Sequence, residues 1–187
     1  MMRKRATILA GALALTLASG CGEDETKSAS PGAAQERDAL ADSPPPLAKL
    51  HQQRNELLGG GPEAFTARLA ELKGFPVVVN KWASWCGPCR AEFPFFQKQA
   101  LKRGRKVAFL GVNSNDEDAA AERFLDEFPV SFPSYKDPKL AIAEEIEAVA
   151  AFPATAFYDA KGKLAFVHQG GYANERALSE DIDRYAR

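Results

Sequence analysis

The sequence is poor in several features that mark particular classes of protein. Its 187 residues include only three cysteines, too few for a small fold held together by several disulfides. Neither sign of charge is in excess, because 24 Lys and Arg face 25 Asp and Glu, so we expect no nucleic-acid partner. The 45% of hydrophobic residues is enough for one ordinary core, which predicts a single globular domain.

An apolar run long enough to cross a membrane is also missing. Near the N-terminus, Arg3 to Arg5 are basic, residues 6–18 are uncharged and mostly apolar, and Ser19-Gly20 are small. That apolar run has about 13 residues, whereas a membrane-spanning helix needs roughly 20. We therefore predict a signal peptide over residues 1–20 rather than a retained transmembrane anchor.

The end of this segment, Leu17-Ala18-Ser19-Gly20-Cys21, resembles a bacterial lipobox, in which the cysteine is lipidated and becomes the first mature residue. The resemblance implies an extracytoplasmic protein that a lipid at Cys21 anchors to a bacterial membrane, on its periplasmic or outer-surface side. The alternative is ordinary cleavage, which leaves Cys21 as a free or oxidised thiol. Lipidation explains why an exported protein carries an unpaired cysteine.

Residues 22–46 are rich in Ala, Ser, Pro and acidic side chains and end in Pro44-Pro45-Pro46. Such a composition buries too little apolar surface to fold. We predict that residues 21–46 hold the lipidated cysteine and a disordered tether. Residues 47–187 should then form the folded domain, with its core over about 62–187.

Hydrophobic patterns in the folded part alternate between helix and strand, which predicts an α/β fold with a partly parallel sheet. Val77-Val78-Val79 is a β-branched run typical of a strand covered on both faces. The predicted strands are 76–82, 106–112, 154–158 and 164–168, the last two forming a hairpin. The predicted helices begin near Leu47, with Leu57 and Leu58 on the same face, and near Pro62, Cys89, Asp116, Leu140 and Asn174.

The chemistry is concentrated in Trp85-Cys86-Gly87-Pro88-Cys89. A strand before Cys86 and a helix after it place this sulfur at a helix N-terminus, where free N–H groups and the helix dipole favour a thiolate. Cys89 then lies one turn inside the helix, near enough for a Cys86-Cys89 disulfide. Gly87 and Pro88 allow the tight geometry, and Trp85 supplies an apolar wall. We predict that Cys86 attacks a substrate and that Cys89 resolves the product.

Two other uses of the cysteine pair are weaker. A zinc site needs two further ligands, and His51 and His168, the only histidines, lack the spacing of a zinc-binding motif, so we expect no metal. A purely structural disulfide is possible in an exported protein, but a bridge that closes so short a loop restrains the unfolded chain only weakly.

The segment from Lys81 to Pro94 resembles the active site of the TlpA/ResA-like branch of the thioredoxin superfamily, and the resemblance continues through Phe152-Pro153-Ala154-Thr155 and Gly162-Lys163. It implies a thioredoxin-like fold, with a central mixed β-sheet flanked by helices. It also implies catalysis by a redox-active disulfide without a cofactor.

The resemblance assigns further roles. Pro153 matches a cis-proline opposite the sulfurs, which with Phe152 borders the substrate, and Pro94 matches a proline that kinks the active-site helix. Glu92 matches an acidic residue that tunes the thiols; the alternative is an ordinary solvated glutamate in the first turn. The sequence departs from the family pattern at Asn80, where thioredoxin has a buried aspartate, and at Lys81, where an aromatic is usual.

Together these features predict a membrane-tethered, extracytoplasmic thiol-disulfide oxidoreductase, acting as a monomer in the reducing direction. The resemblance implies disulfide-containing exported proteins as clients, including apocytochrome c, and a membrane thiol electron donor as partner. The alternative is a thioredoxin-fold binding module that holds a metal or a client segment without redox turnover.

Overall fold

The computed structural model describes residues 31–187, so the predicted signal peptide and Cys21 lie outside the described residues. The elements in chain order are α1 Pro31–Leu40, α2 Pro45–Gln52, β1 Leu57–Leu58, α3 Gly61–Glu71, β2 Val77–Trp82, α4 Gly87–Arg103, β3 Ala108–Ser114, α5 Asp118–Glu127, β4 Ser134–Asp137, α6 Ala141–Glu145, β5 Ala154–Tyr158, β6 Leu164–Gln169 and α7 Glu175–Tyr185.

Six strands form one mixed sheet in the order β1-β4-β3-β2-β5-β6. Strands β1 to β4 pair in parallel, whereas β5 runs antiparallel to both β2 and β6. Every residue of β2 is buried, which explains why its sequence, Val-Val-Val-Asn-Lys-Trp, does not alternate between apolar and polar residues. The predicted fold, a mixed sheet flanked by helices, is confirmed.

The core lies on both faces of the sheet. On one face Trp82 packs against Phe93 of α4 and Phe124 of α5, with ring centroids 5.1 and 4.8 Å away. On the other face Val77 and Val79 belong to a second apolar cluster. Because side chains alternate along a strand, β2 contributes to both clusters. The strand that leads to Cys86 is therefore fixed from both sides.

Three elements of the structure differ from the prediction. Leu57 and Leu58 form β1 rather than part of a helix, since they pair with Ser134 and Tyr135. Strand β4 was not predicted, because its sequence Ser-Tyr-Lys-Asp carries no apolar pattern. The helix expected over 140–149 is only α6, which ends at Glu145 and is followed by Glu147 with a φ of +56°.

The prediction of a disordered tether is wrong for residues 31–46, because they form α1 and the start of α2. Helix α1 packs against α4, with Leu40 buried where Gly104 lacks a side chain. Glu36 of α1 also forms an ion pair with Arg54, at 2.9 Å. An alanine-rich segment readily forms helix, and one docked leucine and one ion pair hold it to the domain. Within residues 31–187 no helix is both long and apolar enough to span a bilayer.

Candidate active site

The two cysteines lie where the central strand ends and α4 begins. Cys86 is the N-cap of α4, and its Sγ accepts a hydrogen bond from the Cys89 N–H at 3.1 Å. The two sulfurs are joined in a disulfide. Gly87 and Pro88 occupy the first turn and are exposed, and a proline fits there because its missing N–H would have no helical partner. The first sulfur thus faces the positive end of a helix dipole.

The turn before Cys86 is tied to the end of β3 through Asp116. The Ser84 N–H and Oγ donate to this carboxylate at 2.5 and 2.7 Å, and Asn113 Nδ2 donates at 2.8 Å. Burial alone would raise the pKa of Asp116, but these hydrogen bonds outweigh it and lower the pKa. A charged, well-bonded carboxylate therefore holds the segment that carries Trp85 and Cys86.

Trp85 combines exposure with fixed orientation. The residue is 56% exposed, yet its indole N–H donates to the Asn115 carbonyl at 2.9 Å. Its ring lies 4.8 Å from the ring of Phe152. An exposed aromatic that is held on two sides is a ready contact surface for another chain.

A second segment approaches the cysteines from the start of β5. The Phe152-Pro153 peptide bond is cis, and the Pro153 carbonyl accepts a hydrogen bond from Gly170 at 2.9 Å. Gly171 lies between the two segments: a Cβ placed on it would be 3.5 Å from both Pro88 and Pro153. Gly170 and Gly171 therefore lie next to Pro153 and to the first turn of α4.

Glu92 is fully buried one turn beyond Cys89, on the same face of α4. Its carboxylate accepts hydrogen bonds from Asn80 Nδ2 and from the Tyr172 N–H, each at 3.0 Å. Burial outweighs these two bonds and raises the pKa of Glu92 to about 7. The alternative of a solvated first-turn glutamate is wrong, because the side chain has no contact with solvent.

Lys81 is another polar residue of this region. In the sequence it stands out only as a departure from the family pattern, which usually has an aromatic residue there. It is fully buried, and its Nζ donates to the carbonyls of Ala148 and Val149 at 2.6 and 3.3 Å. The same ammonium lies 3.6 Å from the ring centroid of Phe152. A lysine in a strand that begins with three valines was the available signal, because lysine is almost never fully buried without partners.

The contacts of the two histidines are with groups other than the sulfurs. His168 Nδ1 is 3.4 Å from Asp181 Oδ2, and its ring stacks on Tyr172 at 4.1 Å. His51 Nε2 bonds the Gly104 carbonyl at 3.0 Å, at the far end of α4. In the part of the chain that the structure describes, no group of three or more His, Cys, Asp or Glu is placed to hold a metal ion.

The chain is similar to known proteins in sequence and in fold. Residues 55–182 match the Redoxin family. The thiol-disulfide oxidoreductase ResA of Oceanobacillus iheyensis is 30% identical over 112 residues, which are 59% of this chain and 58% of that protein. The chain thus spans less than two thirds of this relative.

Two solved structures are also similar. The exposed lipoprotein thioredoxin Etrx1 of Streptococcus pneumoniae superimposes with a TM-score of 0.55 at 26% identity, over 62% of this chain and 89% of that one. A secreted Mycobacterium tuberculosis disulfide oxidoreductase homologous to Escherichia coli DsbE gives a TM-score of 0.55 at 28% identity, over 62% and 85%. With the Redoxin match covering more than half of its length, this chain belongs to the Redoxin family, within the thioredoxin superfamily.

Proposed function

We propose that this protein is an extracytoplasmic thiol-disulfide oxidoreductase that reduces disulfides of exported proteins through Cys86 and Cys89. The observation that carries the proposal is the Cys86-Cys89 pair at the N-terminus of α4, with Cys86 as the N-cap. A sulfur at this position is favoured as a thiolate, the reactive form of cysteine. The relatives named as thiol-disulfide oxidoreductase and disulfide oxidoreductase support the same chemistry.

The first step is attack of the Cys86 thiolate on a client disulfide. A bond forms between Cys86 and one client sulfur, the client disulfide breaks, and the second client sulfur leaves as a thiolate that takes up a proton. Trp85, Gly87 and Pro88 lie exposed around Cys86, and Phe152 and Pro153 border it from the opposite segment. We assign these five residues to client binding.

The second step is attack of Cys89 on the mixed disulfide. Cys89 loses its proton, forms the Cys86-Cys89 disulfide and releases the client as a dithiol, so two electrons have passed from the enzyme to the client. Glu92, one turn away with a pKa near 7, is the group we assign to accept the Cys89 proton. A membrane dithiol donor then returns the enzyme to its reduced form, and no other cofactor is needed.

The proposed setting is the outer side of a membrane, with Cys21 as the lipid anchor and a monomeric domain. Support comes from the lipobox-like sequence and from two relatives that are described as an exposed lipoprotein and as secreted. Apocytochrome c stays a candidate client from the resemblance alone.

A turnover assay tests the function. The soluble protein, kept reduced with dithiothreitol, should reduce a peptide disulfide faster than dithiothreitol alone, and Cys86→Ser should abolish the gain. The metal content of the same preparation should be low. A purified protein that contains stoichiometric metal and gives no turnover would instead identify a binding module.

A further inference from the structure

A buried ammonium lies beneath the client-facing aromatic residues. Lys81 is 0% exposed in the middle of the sheet, where it pairs with Val112 of β3 and Ala154 of β5. A buried charge costs free energy unless it is hydrogen-bonded. Any apolar side chain could fill this place in the core, so the presence of a lysine needs another explanation.

The hydrogen bonds and the cation–π contact of Lys81 all involve one segment, residues 148–152, which precedes Pro153. The carboxylate of Asp137 is the opposite charge that acts on the ammonium. The Lys81 Nζ bonds two successive carbonyls, those of Ala148 and Val149, and sits over the Phe152 ring. The segment itself has no helix or strand, and it begins just after the left-handed Glu147. One ammonium thus holds both ends of an irregular segment, through two hydrogen bonds and one cation–π contact.

Phe152 connects the segment that Lys81 holds with the active site. Its ring contacts Trp85, which the Asn115 carbonyl fixes from the other side. Trp85 and Val149 are the exposed large apolar residues among those described. Apolar surface that is exposed and held rigid loses little conformational entropy when a partner binds.

We propose that Lys81 is a positioning residue for client selection. Its ammonium holds the 148–152 segment so that Phe152 and Trp85 form one rigid apolar rim beside Cys86, and this rim favours clients with an apolar side chain next to the reactive cysteine. The inference deepens the proposed oxidoreductase function and rests on it.

The charge state of Lys81 is compatible with this role. Desolvation lowers its pKa to about 8, so the side chain stays mainly protonated at pH 7 and keeps its donors. An apolar replacement would leave the two carbonyls without this partner, and an unsatisfied buried acceptor loosens the segment that carries it.

The test compares two peptide disulfides that differ only in Phe or Ser beside the cysteine. We expect the reduced wild-type protein to react with the Phe peptide about tenfold faster, the size of one good aromatic contact. Lys81→Met should cut this preference to about twofold or less, mainly through the Phe peptide. Lys161→Met, which changes an exposed lysine in the β5–β6 turn at the other end of β5, is the matched control and should keep the preference.

A double-mutant cycle distinguishes the proposed positioning role of Lys81 from a purely structural one. Phe152→Ala leaves the two backbone bonds of Lys81 in place and should also remove the preference. If Lys81 acts through Phe152, then Lys81→Met adds nothing further in the Phe152→Ala background. Independent, additive losses, or equal losses with both peptides, would overturn the assignment.

Lys81→Phe covers the case in which Lys81→Met does not fold. It introduces the aromatic that the resembling family carries here but has no donor, so the preference should be lost as well. A preference kept by a folded Lys81→Phe protein overturns the role of Lys81. Failure of the wild-type protein to reduce either peptide overturns the oxidoreductase proposal, and the inference with it.

Discussion

The two sulfurs of the site differ in their surroundings, and this difference sets their order of reaction. Cys86 is the N-cap of α4, whereas Cys89 lies inside the helix and is fully buried. A client that forms a mixed disulfide with Cys86 is released when Cys89 attacks. Cys89→Ser should therefore accumulate mixed disulfides with clients, visible as bands on non-reducing gels that disappear on reduction.

Cys86→Ser is the matched control for that experiment. It keeps one thiol of the pair but loses the one at the helix N-terminus, so it should trap little or no client. Equal trapping by both variants would contradict the assigned order.

Glu92 makes stability depend on pH in a defined direction. Its pKa is raised from an ordinary value of 4.5 to about 7 in the folded protein. The folded state therefore binds more protons than the unfolded state between these values, and the stability present below pH 4.5 is lost as the pH rises through about 7. Glu92→Gln cannot ionise and should not show this loss.

The measurement is the free energy of unfolding by urea at several pH values, for the oxidised wild type and Glu92→Gln. The variant should gain about 3 kcal/mol relative to wild type between pH 4.5 and pH 8, at about 1.36 kcal/mol per pKa unit. A difference between the two proteins that does not change with pH would show that Glu92 ionises normally.

Residue types and spacing predicted the cysteine pair, but not the surroundings of Glu92. Its partners, Asn80 and Tyr172, lie 12 and 80 positions away in sequence, so only the folded chain reveals that the carboxylate is buried. Lys81 was visible only as a departure from the family pattern, and its partner segment was not visible at all.

At the scale of elements, length and apolar pattern decided what could be predicted. Strand β2 has six residues and begins with three valines, and its partner β3 has seven and contains the apolar run Ala108-Phe109-Leu110, so both were found. Strands β1 and β4 have two and four residues, and pairing with neighbours rather than local pattern defines them. The Asn174 cap of α7 was recognisable because its side chain bonds the Ala177 N–H, a local contact.

Helix α1 depends on its packing against α4, which cannot be predicted from the sequence of α1 itself. Leu40, its buried apolar residue, packs in the space beside Gly104. Leu40→Ala should lower the free energy of unfolding by about 2 kcal/mol, the low end for a buried leucine because the site is at the edge of the core. Arg37→Ala on the exposed side of α1 is the control, expected to change stability by less than about 0.5 kcal/mol. Equal effects of the two changes would mean that α1 is not docked in solution.

At the scale of the whole molecule, we propose a redox domain that a lipid holds near a membrane. The export and lipid signals lie before residue 31, outside the described residues, so they stay predictions. Mass spectrometry of protein extracted from membranes should find an N-terminal peptide that begins at an acylated Cys21. A peptide that begins at Met1, or an unmodified Cys21, would contradict lipid anchoring.

The central claim is that Cys86 and Cys89 cycle between disulfide and dithiol with a reducing potential. The direct measurement equilibrates a soluble form that begins after Cys21 against a dithiothreitol or glutathione series and counts free thiols by alkylation. We predict a reversible two-electron transition near thioredoxin's potential, about −270 mV. A potential near −120 mV would contradict the reducing direction, and the absence of any reversible transition would contradict the redox function itself.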